Sequence, residues 1–171
     1  MPAQSFVTQF PIIIFTRPVS EPPADWQELD HGPGFIQLPE QVQVGIRARS
    51  LDDAELKALV NEIKHISGLV LLNLSENRRI SAEGLEALRF LPELQILNLS
   101  SVDLSNRALE SLLPLNHLSH LDLSFCNRIT DLAFRTLRQL PALAYLNLQG
   151  CVKMSHGGVA RFQKRGLTIR R

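Results

Sequence analysis

The sequence predicts an α/β solenoid, with parallel strands along a concave face and helices along a convex one. Three observations predict it. A short apolar motif recurs at nearly constant spacing, a helical apolar stripe follows each copy, and one such unit cannot bury its stripe alone, so units must stack. Four segments align without gaps at their starts: LVLLNLSENRRI from Leu69, LQILNLSSVDL from Leu94, LSHLDLSFCNRI from Leu118 and LAYLNLQGCVKM from Leu143. The starts lie 25, 24 and 25 residues apart, and Leu fills positions 1, 4 and 6 of each. Position 9 is Asn77, Val102, Cys126 or Cys151, and an apolar residue follows at Ile80, Leu104, Ile129 or Met154. A weaker copy, QVQVGIRARSL, precedes them, with Val44, Ile46 and Leu51 in the apolar slots.

In chain order, residues 1–40 come first as a proline-rich N-terminal arm and cap. They hold seven of the ten prolines (Pro2, Pro11, Pro18, Pro22, Pro23, Pro33, Pro39), which opposes regular helix. FIQLPEQVQVGIRA (35–48) reads as two short strands around Pro39-Glu40. Trp26, Phe35, Ile36 and Leu38 are the expected cover for the open end of the first repeat. FPIIIF (10–15) reads as an extra strand or strap on the body, with a docking segment as the alternative.

Residues 41–154 hold about five repeats. A helix-capping residue follows each apolar motif, at Asp52, Ser81, Ser105, Thr130 and Ser155, and Asp52 with Glu55 has the capping-box spacing. Leu85, Leu88 and Leu91 recur as Leu109, Leu112 and Leu115 and as Phe134, Leu137 and Leu140, one apolar stripe per helix. Pro92 and Pro141 end their helices, and Ile63 and Ile66 lengthen the first by about a turn. Residues 155–171 form a basic C-terminal cap. From 152 onward the chain carries Lys153, Arg161, Lys164, Arg165, Arg170 and Arg171 with no acid, and GLTI (166–169) adds a last short strand whose flanking charges discourage self-pairing.

The segment LDLSFCNRITDLAFRTLRQLPALAYLNLQGC (121–151) resembles the cysteine-containing leucine-rich-repeat subfamily, with Cys at position 9 and "IT-D" before the helix. The resemblance covers roughly residues 41–154 and implies a right-handed, ribonuclease-inhibitor-like leucine-rich-repeat solenoid with a parallel concave sheet and convex helices. Asn77 and Val102 depart from the Cys pattern. The subfamily is known from substrate-binding arms of F-box proteins. A ubiquitin-ligase adaptor would need a three-helix F-box ahead of the repeats, and the proline-rich first 40 residues do not read as one.

Composition narrows the function classes. At 171 residues, 44% hydrophobic, 20% charged and net +1, the chain reads as one soluble domain with no global field toward nucleic acid or membrane. Its longest strongly apolar run is far short of a bilayer span, and no secretory pattern precedes it. Two cysteines favour a reducing compartment, and the cytoplasm is the expected location.

His120, Asp122, Ser124 and Cys126 crowd one motif but do not assemble chemistry. Positions 1, 4, 6 and 9 point inward, so Cys126 and Cys151 are core thiols and Cys126 faces away from His120. Their separation of about one strand spacing, ~5 Å, permits a disulfide, which a reducing compartment opposes. Outward residues on one strand stand ~7 Å apart, too far for a Ser-His-Asp relay. His117, His120, Cys126, Cys151 and His156 lack paired metal-ligand spacing, and there is no glycine-rich phosphate loop, so no enzyme, metal or cofactor is expected.

The remaining positions tile the outward sheet face. Position 3 runs Gln43, Leu71, Ile96, His120, Tyr145, and position 5 runs Gly45, Asn73, Asn98, Asp122, Asn147. Leu71, Asn73, Ile96, Asn98, His120, Asp122, Tyr145 and Asn147 therefore make the expected protein-binding site, apolar and aromatic at its centre and ringed by amides. Phe125 borders it. The competing reading is an asparagine ladder between strands, with Leu71 and Ile96 covered by the N-terminal arm. The expected partner is another protein, with self-association left open. The basic C-terminus has no aromatic platform beside it in the sequence, which argues against nucleic acid. A scaffold or assembly subunit acting through the arm or the basic cap is the alternative function.

Overall fold

The computed structural model describes residues 4–20, 24–163 and 165–171; Pro2, Pro22, Pro23 and Lys164 fall outside the described residues. Strands β1 (Gln4–Thr8), β2 (Ile12–Pro18), β3 (Gln27–His31), β4 (Gly34–Leu38) and β5 (Val42–Ala48) come first. Each later unit supplies one strand: β6 (Leu69–Asn73), β7 (Ile96–Asn98), β8 (His120–Asp122), β9 (Tyr145–Asn147) and β10 (Thr168–Arg170). They form an eight-stranded sheet in the order β10-β9-β8-β7-β6-β5-β2-β3, parallel from β5 to β10 and antiparallel from β5 through β2 to β3. A separate ribbon pairs β1 with β4.

Register explains the core. Leu72, Leu97, Leu121 and Leu146 pair directly across neighbouring strands and are fully buried. With Leu74, Leu99, Leu123 and Leu148 they make two unbroken leucine rows, each side chain contributing about 1.5–3 kcal/mol by leaving water. The helical side is shorter than the stripe predicts. Helix α1 (Asp53–Ile63) is regular, α2 (Ala82–Leu85) continues as a 3₁₀ turn over Glu86–Phe90, the next unit has only a 3₁₀ segment over Asn106–Leu112, and α3 (Ala133–Leu137) and α4 (His156–Phe162) are brief. Units of 24 or 25 residues leave little chain for a full helix, and the tighter 3₁₀ form still lays Leu109 and Leu112 into the core.

Each unit turns off its strand at position 8 through a left-handed residue: Ser50, Glu76, Ser101, Phe125 and Gly150, with φ of 61, 68, 58, 60 and 73°. That conformation costs most residues free energy, and the return is an inter-unit hydrogen bond. The amides of Glu76, Ser101 and Phe125 donate to the carbonyls of Ser100, Ser124 and Gln149 one unit on, at 2.8–2.9 Å. Ser50 also fixes the frame of the first unit. It starts two residues later than the sequence suggests, a shift absorbed at an irregularity between Val44 and Gly45, so Gly45 rather than Gln43 pairs with Leu71.

The N-terminal segment is not an extended arm. The two short strands expected around Pro39 are β4 and β5, and they do not pair with each other: β4 joins β1, and β5 lies between β2 and β6. The FPIIIF stretch enters β2, whose Ile12 and Ile14 are buried while Ile13 and Phe15 face the other side. Ile36 and Leu38 close the first repeat as expected, whereas Phe35 is 65% exposed. The end cap is thus two antiparallel additions to a parallel stack.

Helix caps tie successive units together. Asp52 and Glu55 form the reciprocal capping box. Ser81 and Ser155 accept from Glu83 and Gly158 backbone amides, whereas Ser105 makes no side-chain cap. Across the units, Asp53 accepts from the Ser81 backbone and hydroxyl at 2.7 and 2.6 Å, and Asp131 grips Ser155 in the same way. Gly84 and Gly158 make room: a Cβ at either would stand 2.3 or 2.4 Å from an atom of Asp53 or Asp131.

Candidate functional site

The face of the sheet opposite the helices is open, and in-register pairing makes it a grid. One row runs Phe15, Gly45, Leu71, Ile96, His120, Tyr145, Thr168, and the next runs Ile13, Arg47, Asn73, Asn98, Asp122, Asn147, Arg170. All eight sequence-expected residues lie in these two rows. Leu71, Ile96 and Tyr145 are half-buried and His120 is exposed, while Asn147 is only 7% exposed.

The first row is apolar and aromatic almost throughout. His120 and Tyr145 stack with centroids 5.7 Å apart, and the Ser119 hydroxyl lies 2.9 Å from His120 Nδ1. At the other end Gly45 has no side chain, and Trp26 fills the gap. A Cβ at Gly45 would lie 3.2 Å from both the Trp26 ring and Leu71. Arg17 lies over that ring at 4.6 Å from its centroid and donates to Gln43 at 2.7 Å. Sequence reading did not bring Ile13 and Phe15 to this face, and it expected Trp26 only as cover for the first repeat. The signal for Ile13 and Phe15 was the alternation within β2, and nothing local said which sheet that strand would join.

The second row is polar and mostly occupied with its own turns. Asn73, Asn98 and Asn147 each accept from a backbone amide two residues on, at Ser75, Ser100 and Gln149. Asp122 accepts from the Ser124 backbone and hydroxyl through Oδ1 and from Asn147 Nδ2 through Oδ2. Apart from that last bond there is no asparagine ladder between strands. The Nδ2 groups of Asn73 and Asn98 have no partner among the described residues, and buried Arg47 Nε has none either. Two amide donors on partly exposed side chains, Asn73 and Asn98, thus border the apolar row.

Nucleophilic chemistry does not assemble here. The Ser124 hydroxyl donates to Asp122, not His120, which ends the triad geometry. Cys126 and Cys151 are free, buried and turned away, donating to the Leu99 and Leu123 carbonyls at 3.2 and 3.0 Å. Burial pushes the Cys126 thiol up to about 12 and also raises Cys151. Among the described residues no cluster of three His, Cys, Asp or Glu could hold a metal, and no helix is long and apolar enough to cross a membrane.

The Leucine Rich repeat family matches at residues 69–88 and 115–132. The Caenorhabditis elegans protein EEED8.10, whose name provisionally describes it as RNA-binding, is 31% identical over 146 residues, spanning 78% of this chain and 20% of that protein. The chain therefore spans about a fifth of the length of that curated relative. A yeast crystal structure, the Rad7 and Elc1 complex, contains a chain of similar fold, with a TM-score of 0.59 at 19% identity, covering 72% of this chain and 31% of that one.

Proposed function

The chain is a leucine-rich-repeat protein, and we propose that it is a non-catalytic module that binds another protein through the open face of its sheet, the concave face of a right-handed solenoid. The observation that carries this reading is the row Phe15, Leu71, Ile96, His120, Tyr145, which spans six strands, with Trp26 filling the gap over Gly45 on β5. Apolar and aromatic surface left in water beside unpaired donors is what a binding centre offers. The Asn73 and Asn98 Nδ2 groups, on partly exposed side chains, fit a partner that brings carbonyl or carboxylate acceptors to the edge of the row. The name of the worm relative attributes RNA binding to a much longer protein, and the uncharged row has no chemistry for phosphate. The cytoplasm suits two free thiols.

A second reading, assembly through the ends, is favoured by Val7 and Phe35. They pair directly across β1 and β4 on the outer face of the cap and are 66% and 65% exposed. The Leu71→Asp/Tyr145→Ala double variant separates the two. Circular dichroism should remain native, and affinity for a partner recovered from the native cell should fall at least about tenfold, as loss of central anchors requires. Undiminished binding by the folded variant would move the interface to the cap ribbon or the basic end.

A further inference from the structure

The net charge of +1 conceals a strong polarity. Residues 123–171 hold nine of the 18 Lys and Arg residues but one of the 17 acids, so this part carries +8 and residues 1–122 carry −7. Because the repeats stack in chain order, sequence position becomes position along the molecule, and the positive charge gathers at the C-terminal end. The one acid there, Asp131, is engaged by Ser155. No described Lys or Arg after Gly150 forms a direct ion pair among the described residues, although the charges of Arg161 and Arg171 also act on Asp131.

An aromatic platform lies beside that end. Residues 152–171 contain only Phe162, which is buried, but the position-8 turn brings Phe125 against the next unit. Its ring covers the bare backbone of Gly150, where a Cβ would stand 2.4 Å from Cδ1, and it remains 53% exposed. It walls an open recess of about 510 Å³ whose other lining residues include Arg78, Ser101, Asp103 and Asn127. Those groups offer both donors and acceptors within reach of a stacked ring. Arg128 follows Phe125 by three residues and is held by Asp103 at 3.3 Å; Lys153 follows Gly150 by three, and Arg171 anchors beside it on the Met154 carbonyl at 2.7 Å. Cations thus line the same edge from the recess to the end of the stack.

We propose that this edge is a second binding site, separate from the open sheet face, for single-stranded nucleic acid. A base stacks on Phe125 and meets Ser101, Asp103 and Asn127 with its polar edge, while the phosphates run along Arg128, Lys153 and Arg171 toward the basic end. Stacking on an aromatic ring together with a cationic track is the recognition mode of sequence-tolerant single-strand binders. A purely acidic protein partner would use the charges but not the ring.

Fluorescence anisotropy with labelled oligouridylate and oligothymidylate tests this on the intact chain. Binding should be saturable at about 50 mM salt and weaken toward about 200 mM, and Arg128→Gln or Lys153→Gln should each lower the log–log salt slope by roughly 0.7. Phe125→Asn keeps a residue that tolerates the left-handed turn; it should weaken binding roughly five- to a hundredfold with circular dichroism unchanged. Absence of saturable binding at low salt overturns the proposal. So does an unaltered affinity in folded Phe125→Asn combined with equal competition by polyglutamate, which would assign the edge to an acidic protein.

Discussion

At the scale of single residues, position 9 decides how tightly consecutive units join. Cys126 and Cys151 each donate to the position-6 carbonyl of the preceding unit, at Leu99 and Leu123. Asn77 does this for Ala48 at 2.9 Å and bonds the Leu74 carbonyl of its own unit as well, which is the carbonyl that Val102, lacking a donor, leaves unserved. Its Oδ1 accepts from Leu51 at 2.7 Å. Asn77→Ala should therefore strand buried backbone groups on two units and lower unfolding free energy by at least roughly 1–3 kcal/mol, read as a reduced urea midpoint. The thiols are donors rather than nucleophiles. With Cys126 pushed to about 12 by burial, native protein should take up almost no thiol reagent over minutes at neutral pH, and denatured protein two equivalents. Rapid native labelling would place Cys126 on the surface. That position 9 is buried was legible from its recurrence; that Asn77 reaches the Ala48 carbonyl was not, because this depends on which strand lies alongside.

At the scale of elements, short helices are secured by what happens at their N-termini. The serine caps were legible because Ser81 and Ser155 directly follow the apolar motif. Their grip by Asp53 and Asp131 was not, since each acid lies on the preceding unit, 28 or 24 residues earlier. Hydrogen bonds from Ser155 hold the Asp131 carboxyl below its ordinary range. The sign follows directly: a carboxyl with its folded value depressed adds stability above its unfolded value, near pH 4, and loses it as pH falls through the folded one. Asp131→Asn should thus unfold at lower urea than the parent at pH 7, with the gap closing as pH falls below about 4. Gly158→Ala displaces the same carboxylate, so its cost and that of Asp131→Asn should add to less than their sum. A gap independent of pH would mean that the clasp works by shape alone.

At the scale of the whole molecule, stacking makes stability one-dimensional, and the ends carry the risk. The repeat body was legible because its period is local to each unit and repeated four times. The N-terminal cap was not: β2 pairs with β5 about thirty residues on, and β1 with β4, and proline content alone favoured an arm. The same non-local pairing hid Phe15 and Trp26 from the open face, while Leu71, Ile96 and Tyr145 were placed correctly by period. In such a stack a defect is shared with the neighbours on both sides. Leu121 lies in the middle of its row, fully buried and paired with Leu97 and Leu146. Leu121→Ala should cost about 2–5 kcal/mol in global unfolding. Its reach is the sharper test. Amide exchange should quicken in β7 and β9 as well as β8 and fade toward β2, because each strand is held by the packing of the next. Faster exchange confined to β8 would mean that the units fold side by side without depending on one another.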